Sequence, residues 1–276
     1  MILSANSIFS WVWFCWTFAA ATPSNHPKQH KTGAIFGDQR IVSENASSAW
    51  SVAVGDLNGD GFMDLASASK GNSQIAWYNN TDGIGTFGQQ IVVSKNAVFA
   101  TSVVIGDFNN DGALDLASSS QSDDKVAWYN NTDGKGTFGQ QIIISTNALA
   151  AQDLAVGDFD LDGWLDLTCA CDEGIFWMRN MHGPNGAGNF SKKIIVNSEI
   201  SYFYSVVVGD FNRDGWPDIA SASDNSIAWY KNDGTGTFGT TRIITLKAPY
   251  AFSISVGDLN GNGWPDLVSA SLVRYF

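Results

Sequence analysis

Val54-Gly55-Asp56-Leu57-Asn58-Gly59-Asp60-Gly61-Phe62-Met63-Asp64 decides the reading of this 276-residue chain, because its pattern returns four times. Ile105-Gly106-Asp107, Val156-Gly157-Asp158, Val208-Gly209-Asp210 and Val256-Gly257-Asp258 open the other copies, and the leading aspartates are spaced by 51, 51, 52 and 48 residues. That period suits a blade of four short strands and exceeds the period of most helical repeats. Upstream of each aspartate, Val52 and Val54, Val103 and Ile105, Leu154 and Val156, Val206 and Val208, and Ile254 and Val256 alternate onto one face of a first strand.

Downstream of each loop a second strand is built from small residues, as in Asp64 to Ser69 and Asp218 to Ser223, which lets neighbouring units approach closely. A third strand carries Trp77-Tyr78, Trp128-Tyr129, Trp177-Met178 and Trp229-Tyr230. Glycine-rich turns beginning at Thr81, Thr132 and Asn232 reverse the chain into a fourth strand, at 91–93, 142–144, 194–196 and 243–245. No stretch sustains a period of 3.6, and the chain has 28 glycines, so helical solenoids compete poorly. A four-stranded unit cannot bury both faces alone. The expected class is therefore all-β, a β-propeller of about five four-stranded blades over 34–276, with repeats near 48–98, 99–149, 150–201, 202–250 and 251–276.

The Phe87-Gly88 turn, the Val54-Gly55-Asp56 strand and the acidic loop together resemble the FG-GAP/VCBS repeat family, a group that includes integrin α-subunit propellers. The resemblance runs from about Ile35 to the end. Integrin-like relatives have seven blades, which the resemblance sets beside a five-bladed count. Residues 34–43 match the Phe-Gly turn and fourth strand, and Leu267 to Phe276 covers a second strand and a stunted third. Pairing of these ends closes a five-bladed ring; the other expectation is a fragment of a longer, seven-bladed one.

The loops place oxygen ligands at positions one, three, five and nine: Asp56, Asn58, Asp60 and Asp64; Asp107, Asn109, Asp111 and Asp115; Asp158, Asp160, Asp162 and Asp166; Asp210, Asn212, Asp214 and Asp218; Asp258, Asn260, Asn262 and Asp266. A hard cation such as Ca²⁺ takes six to eight oxygens, and the glycine at position six permits the turn around it. Position seven varies as Phe62, Ala113, Trp164, Trp216 and Trp264, as expected where only a backbone carbonyl is used. A strand follows instead of a helix, with no glutamate at position twelve, which excludes EF-hands. Up to five Ca²⁺ ions are expected. The third loop, with four carboxylates, is expected to bind best, and the fifth, with two, most weakly.

The loops hold 15 of the 27 acidic residues, so the net charge of −12 is concentrated, and five Ca²⁺ bring it to −2. This field argues against nucleic acid and anionic membranes as partners. Residues 1–21 read as a signal peptide with cleavage after Ala21, against a short membrane anchor, and 22–33 as a polar linker, leaving no membrane span after cleavage. A secreted or extracellular-surface location follows, with sequons at Asn45, Asn79, Asn130 and Asn189 for glycosylation. Cys15 leaves with the signal, and Cys169 and Cys171 replace the strand serines Ser67 and Ser69, so no disulfide framework is expected.

Catalysis has few candidates. His26, His30 and His182 are scattered, Trp216-Pro217-Asp218 and Trp264-Pro265-Asp266 lack the Cys-x5-Arg partner of a tyrosine phosphatase, and metal-bound carboxylates are poor general acids for glycoside hydrolysis. The expectation is no enzyme but a calcium-bearing adhesion or interaction scaffold with an extracellular protein or glycan ligand. The rival is a calcium-dependent lectin-like propeller or a non-catalytic module of a polysaccharide-acting enzyme. The Trp-Tyr pairs of the third strand serve a lectin if exposed, and blade packing if buried.

Overall fold

The structure, a computed structural model, describes residues 39–183 and 189–272. The signal segment, the linker, part of the N-terminal strand match and the last four residues of the stunted third strand lie outside the described residues.

Blade one comprises β1 (Ala49–Gly55), β2 (Asp64–Ser69), β3 (Gln74–Tyr78) and β4 (Ile91–Ser94). Blade two is β5 (Ala100–Gly106), β6 (Asp115–Ser120), β7 (Lys125–Tyr129) and β8 (Ile142–Ser145). Blade three is β9 (Asp153–Gly157), β10 (Asp166–Cys171), β11 (Gly174–Met178) and β12 (Ile194–Asn197), and blade four is β13 (Phe203–Gly209), β14 (Asp218–Ser223), β15 (Ile227–Tyr230) and β16 (Arg242–Thr245). The last unit has two strands, β17 (Ala251–Gly257) and β18 (Asp266–Ser271). Each sheet is an antiparallel meander in chain order, and no helix occurs among the described residues. Where about five four-stranded blades were expected, the described residues form four four-stranded blades and one two-stranded unit. Of the two expectations, a closed five-bladed ring or a fragment of a longer one, the closed ring is not seen among the described residues. No sheet joins β17 or β18 to β1, and the described blades form an open series.

Register is fixed identically in every unit: Gly55 pairs with Asp64, Gly106 with Asp115, Gly157 with Asp166, Gly209 with Asp218 and Gly257 with Asp266. Each acidic loop is therefore the connection between the first two strands of its blade. The core is divided into four hydrophobic clusters, each shared by two successive blades, so apolar burial holds neighbours together. Of the third-strand aromatics, Trp77, Trp128, Tyr129, Phe176, Trp177 and Tyr230 belong to these clusters. Trp128, Tyr78, Tyr129 and Tyr230 are fully buried, and Trp77 packs edge-on to Phe138 of the next blade at 6.5 Å.

The tyrosine hydroxyls need partners once buried, and the small second strand supplies them. Ser67 Oγ lies 3.2 Å from Tyr78 Oη, and Ser118 Oγ lies 3.0 Å from Tyr129 Oη. In blade three Met178 stands at the tyrosine position and Cys169 at the serine position, so hydroxyl and partner are lost together. Cys169 and Cys171 are free, buried thiols, and burial pushes the Cys169 thiol well up, the reverse of a reactive thiolate.

The first strands line a central cavity of about 480 Å³. Their inner edges expose backbone N–H groups, which side chains of the preceding blade cap: Val103 N–H donates to Ser51 Oγ at 3.2 Å, Val206 N–H to Asp153 Oδ2 at 3.1 Å and Ile254 N–H to Ser205 Oγ at 3.3 Å. Asp153 replaces the serine of the other blades and is clasped on both sides, by Ser102 Oγ and Ser205 Oγ at 2.9 Å each.

Candidate metal centres

Each loop folds on its own carboxylates. Glycine at position six has positive φ in all five copies, from 82° at Gly263 to 89° at Gly215, and position four does too, including Asn110, Leu161 and Arg213. These two left-handed residues turn successive N–H groups inward. The leading aspartate collects them: Asp56 Oδ2 accepts from Gly61 N–H at 2.8 Å, Asp107 Oδ2 from Gly112 at 2.9 Å, Asp158 Oδ2 from Gly163 at 2.9 Å, Asp210 Oδ2 from Gly215 at 2.9 Å and Asp258 Oδ2 from Gly263 at 2.7 Å. Position five accepts from position seven, as where Asp60 Oδ1 binds Phe62 N–H at 2.8 Å and Asn262 Oδ1 binds Trp264 N–H at 2.7 Å.

The ninth aspartate locks the loop to the blade. Asp64, Asp115, Asp166 and Asp218 have no solvent exposure. Asp115 Oδ2 accepts from Phe108 N–H at 3.3 Å and its Oδ1 from Asn131 N–H at 2.7 Å; Asp64 and Asp166 repeat the arrangement. Burial pushes Asp115 and Asp166 up to about 7, against the pull of these N–H groups, and raises Asp64 and Asp218 as well. Asp266 is half-buried: its Oδ2 accepts from Leu259 N–H at 3.0 Å as in the other loops and also from Asn260 Nδ2 at 3.1 Å, and no third strand covers it among the described residues.

Oxygen donors fit a hard divalent cation, and two observations fit it at specific atoms. In the third loop, Asp158, Asp160 and Asp166 offer carboxylate oxygens within 4.8 Å of one another. Asp160 Oδ1 and Asp218 Oδ2 are buried without a hydrogen-bond partner, which a ligating cation would remedy. Asp162 stands apart from its loop-mates, drawn to Arg179 at 3.0 Å and to His182 Nε2 at 3.0 Å. In the first two loops the third and fifth residues meet directly, Asn58 Nδ2 donating to Asp60 Oδ2 at 2.9 Å and Asn109 Nδ2 to Asp111 Oδ2 at 2.8 Å. His182, from outside the loop, lies 5.1 Å from the Trp164 ring, centroid to centroid.

Sequence reasoning passed over the asparagine that follows the third strand, Asn80, Asn131, Asn180 and Asn232, although its recurrence one residue beyond the aromatic pair was the available signal. It is buried in every copy. Asn131 Nδ2 reaches the Leu114 carbonyl of its own loop at 3.1 Å and the Leu57 carbonyl of the preceding loop at 2.8 Å; Asn180 and Asn232 repeat this with Phe108 and Phe159 at 2.7 Å each. The acidic loops of adjacent blades are thereby wired together.

The arrangement is similar to that of solved proteins. A lectin from Agrocybe aegerita, described for its specific recognition of non-reducing terminal N-acetylglucosamine, is 21% identical with a TM-score of 0.53, covering 79% of this chain and 56% of its own. BBS1N, solved in complex with ARL6DN, is 16% identical with a TM-score of 0.49, covering 72% of this chain and 57% of its own. This chain thus spans little more than half the length of either. No curated protein matches it. The model of the FG-GAP-like repeat matches residues 56–118, 107–169, 158–221 and 210–269, each match running from one acidic loop into the strand after the next. With the loop, the strand register and the asparagine strut repeating in phase across that span, the chain belongs to the FG-GAP-like repeat family.

Proposed function

We propose that this is a secreted or cell-surface recognition propeller, stabilised by calcium in its acidic loops, which binds a glycan and catalyses no reaction. The observation that carries the reading is the row of aromatic side chains at position seven of four loops, with Ala113 in the second loop the exception. The third-strand aromatics are buried, but Phe62 and Trp264 are 41% and 45% exposed and Trp164 and Trp216 are half-buried, all on the loops themselves. Flat aromatic faces with a polar rim suit the apolar face of a sugar ring, and the carboxylates beside them suit its hydroxyls. The fold likeness to an N-acetylglucosamine-binding lectin supports the same ligand class. Calcium supplies geometry here: it would hold the loop that carries each ring.

The test is binding of the purified chain to a glycan array with and without EGTA. Retention of one terminal sugar, lost on chelation and on Trp264→Ala, supports the reading; no retention at saturating calcium sinks it. A protein ligand is favoured by one separate observation. The outermost strands expose paired aliphatics at Ile91-Val92, Ile142-Ile143, Ile194-Ile195 and Ile243-Ile244. An apolar rim repeated in four blades is the kind of surface a protein partner covers, and substituting Ile195 and Ile244 by serine would abolish such binding while sparing glycan binding.

A further inference from the structure

The residue between the third strand and the buried asparagine differs from blade to blade: Asn79, Asn130, Arg179 and Lys231. The buried asparagine after it does not differ, so each of these side chains springs from the same point beside its loop. In blade two it stays neutral, Asn130 Oδ1 accepting from Asn109 Nδ2 at 3.2 Å. In blade three the Arg179 guanidinium bridges the third and fifth loop residues, with Nε on Asp160 Oδ2 and Nη2 on Asp162 Oδ2. In blade four Lys231 Nζ lies 3.0 Å from Asp214 Oδ2, the fifth residue. The carboxylates so engaged are the less exposed partners: the side chain of Asp160 is 8% exposed and that of Asp162 18%, against 42% for Arg179.

We infer that Arg179 and Lys231 are tethered counter-ions that compete with calcium for the third and fourth loops, so that the first two loops fill at lower calcium and the other two respond only at higher concentration. The inference rests on the calcium reading of the loops. The physical ground is that the arginine and lysine use the carboxylate oxygens that a divalent ion needs, and they bring positive charge to within a few ångströms of it. Calcium must either displace the side chain to solvent, which the exposure of Arg179 and Lys231 allows, or bind beside a like charge. The carboxylate count alone ranks the third loop first; the arginine set into it reverses that ranking. Without calcium the same side chains offset one of the loop's negative charges, so blades three and four keep their shape better than the first two loops, which must tolerate their own repulsion.

The test is isothermal titration of calcium into the full-length chain, for the wild type, Arg179→Gln, Lys231→Gln and the double variant, with melting curves in EGTA alongside. The wild type should show two classes of site, and each single variant should move one site from the weak class to the tight class. The gain should be on the order of tenfold, the scale on which a charge at this distance shifts an ionisation. In EGTA the same variants should melt lower than the wild type, a sign opposite to their effect in calcium. Arg179→Lys, which keeps the charge, should leave the site in the weak class and guards against a loss of folding being read as a loss of binding. Unchanged or weakened affinity in folded Arg179→Gln, with calcium still bound elsewhere, overturns the inference. Absence of calcium binding in wild type and variants alike overturns the calcium reading itself.

Discussion

Asn131 Nδ2 donates to the carbonyl oxygen of Leu57 at 2.8 Å across 74 residues of sequence. Leu57 is the second residue of the first acidic loop, and Asn131 belongs to the blade after it. Because the backbone N–H of Asn131 also caps Asp115 at 2.7 Å, one buried residue touches two loops in two blades.

Asn131→Ala is therefore expected to leave the Leu57 and Leu114 carbonyls without their donor in a buried setting and to cost about 2–6 kcal/mol, from roughly 1–3 kcal/mol per unsatisfied group. Asn79→Ala, one residue before the equivalent strut and half-buried, should cost under about 1 kcal/mol. Urea denaturation of the two variants checks the contrast, and equal losses would count against the strut.

How much of this was legible follows from what repeats and what does not. The strands and the acidic loop joining the first two of each blade were readable because alternation and loop position recur in phase, whereas Trp77 had both an exposed and a buried reading, and the structure buries it. Asn131 was hidden because its partner lies in another blade, and a linear pattern carries no signal of which carbonyl it meets. Arg179 was hidden for the opposite reason: charge counting sums carboxylates along one loop and misses a cation delivered from 17 residues away in sequence. The ring closure expected from the terminal strand matches was not found among the described residues, since a strand match fixes a partner's type and not its position.

Glycine is required at two kinds of place for different reasons. A Cβ on Gly136, at φ +82°, would run into the Trp77 indole of the preceding blade. A Cβ on Gly163, at φ +86°, would meet nothing within 4 Å. Gly163→Ala should thus cost only its left-handed backbone, about 1–2 kcal/mol, whereas Gly136→Ala adds a clash in a packed core worth a further 1–3 kcal/mol. Melting temperatures of the pair in EGTA separate strain from overpacking, and Gly136→Ala should fall clearly lower.

Asp153 gives stability a pH dependence whose sign is fixed by its setting. Burial raises its pKa, outweighing the N–H of Val206 and the hydroxyls of Ser205 and Ser102. A carboxyl raised in the folded state binds its proton more tightly there than in the unfolded chain. Its contribution is therefore fully present below the unfolded value near pH 4 and is lost as pH rises through the folded value. Asp153→Ser, which restores the residue of the neighbouring blades, should gain on the wild type as pH is raised from about 4 upward. Denaturation across that range in EGTA measures it; a gap that narrows with rising pH, or stays flat, would contradict the buried, raised carboxyl.

Chelation is the most general test, because the asparagine struts make the loops interdependent. Each filled site contributes about RT ln(1 + [Ca²⁺]/Kd), or roughly 1.4 kcal/mol at tenfold excess over Kd. Several sites together should shift the melt of a chain this size by on the order of 10 °C. The shift should not be a sum over isolated loops. Asn131, Asn180 and Asn232 each bind a carbonyl of the preceding loop, so emptying one site loosens the anchor of the next blade. The melt in EGTA should accordingly fall as one broadened transition in the wild type. Asn180→Ala, which cuts the tie to Phe108, should split it into separate steps for the two halves. An EGTA melt that superimposes on the calcium melt would remove calcium from the account of these loops, whatever their sequence.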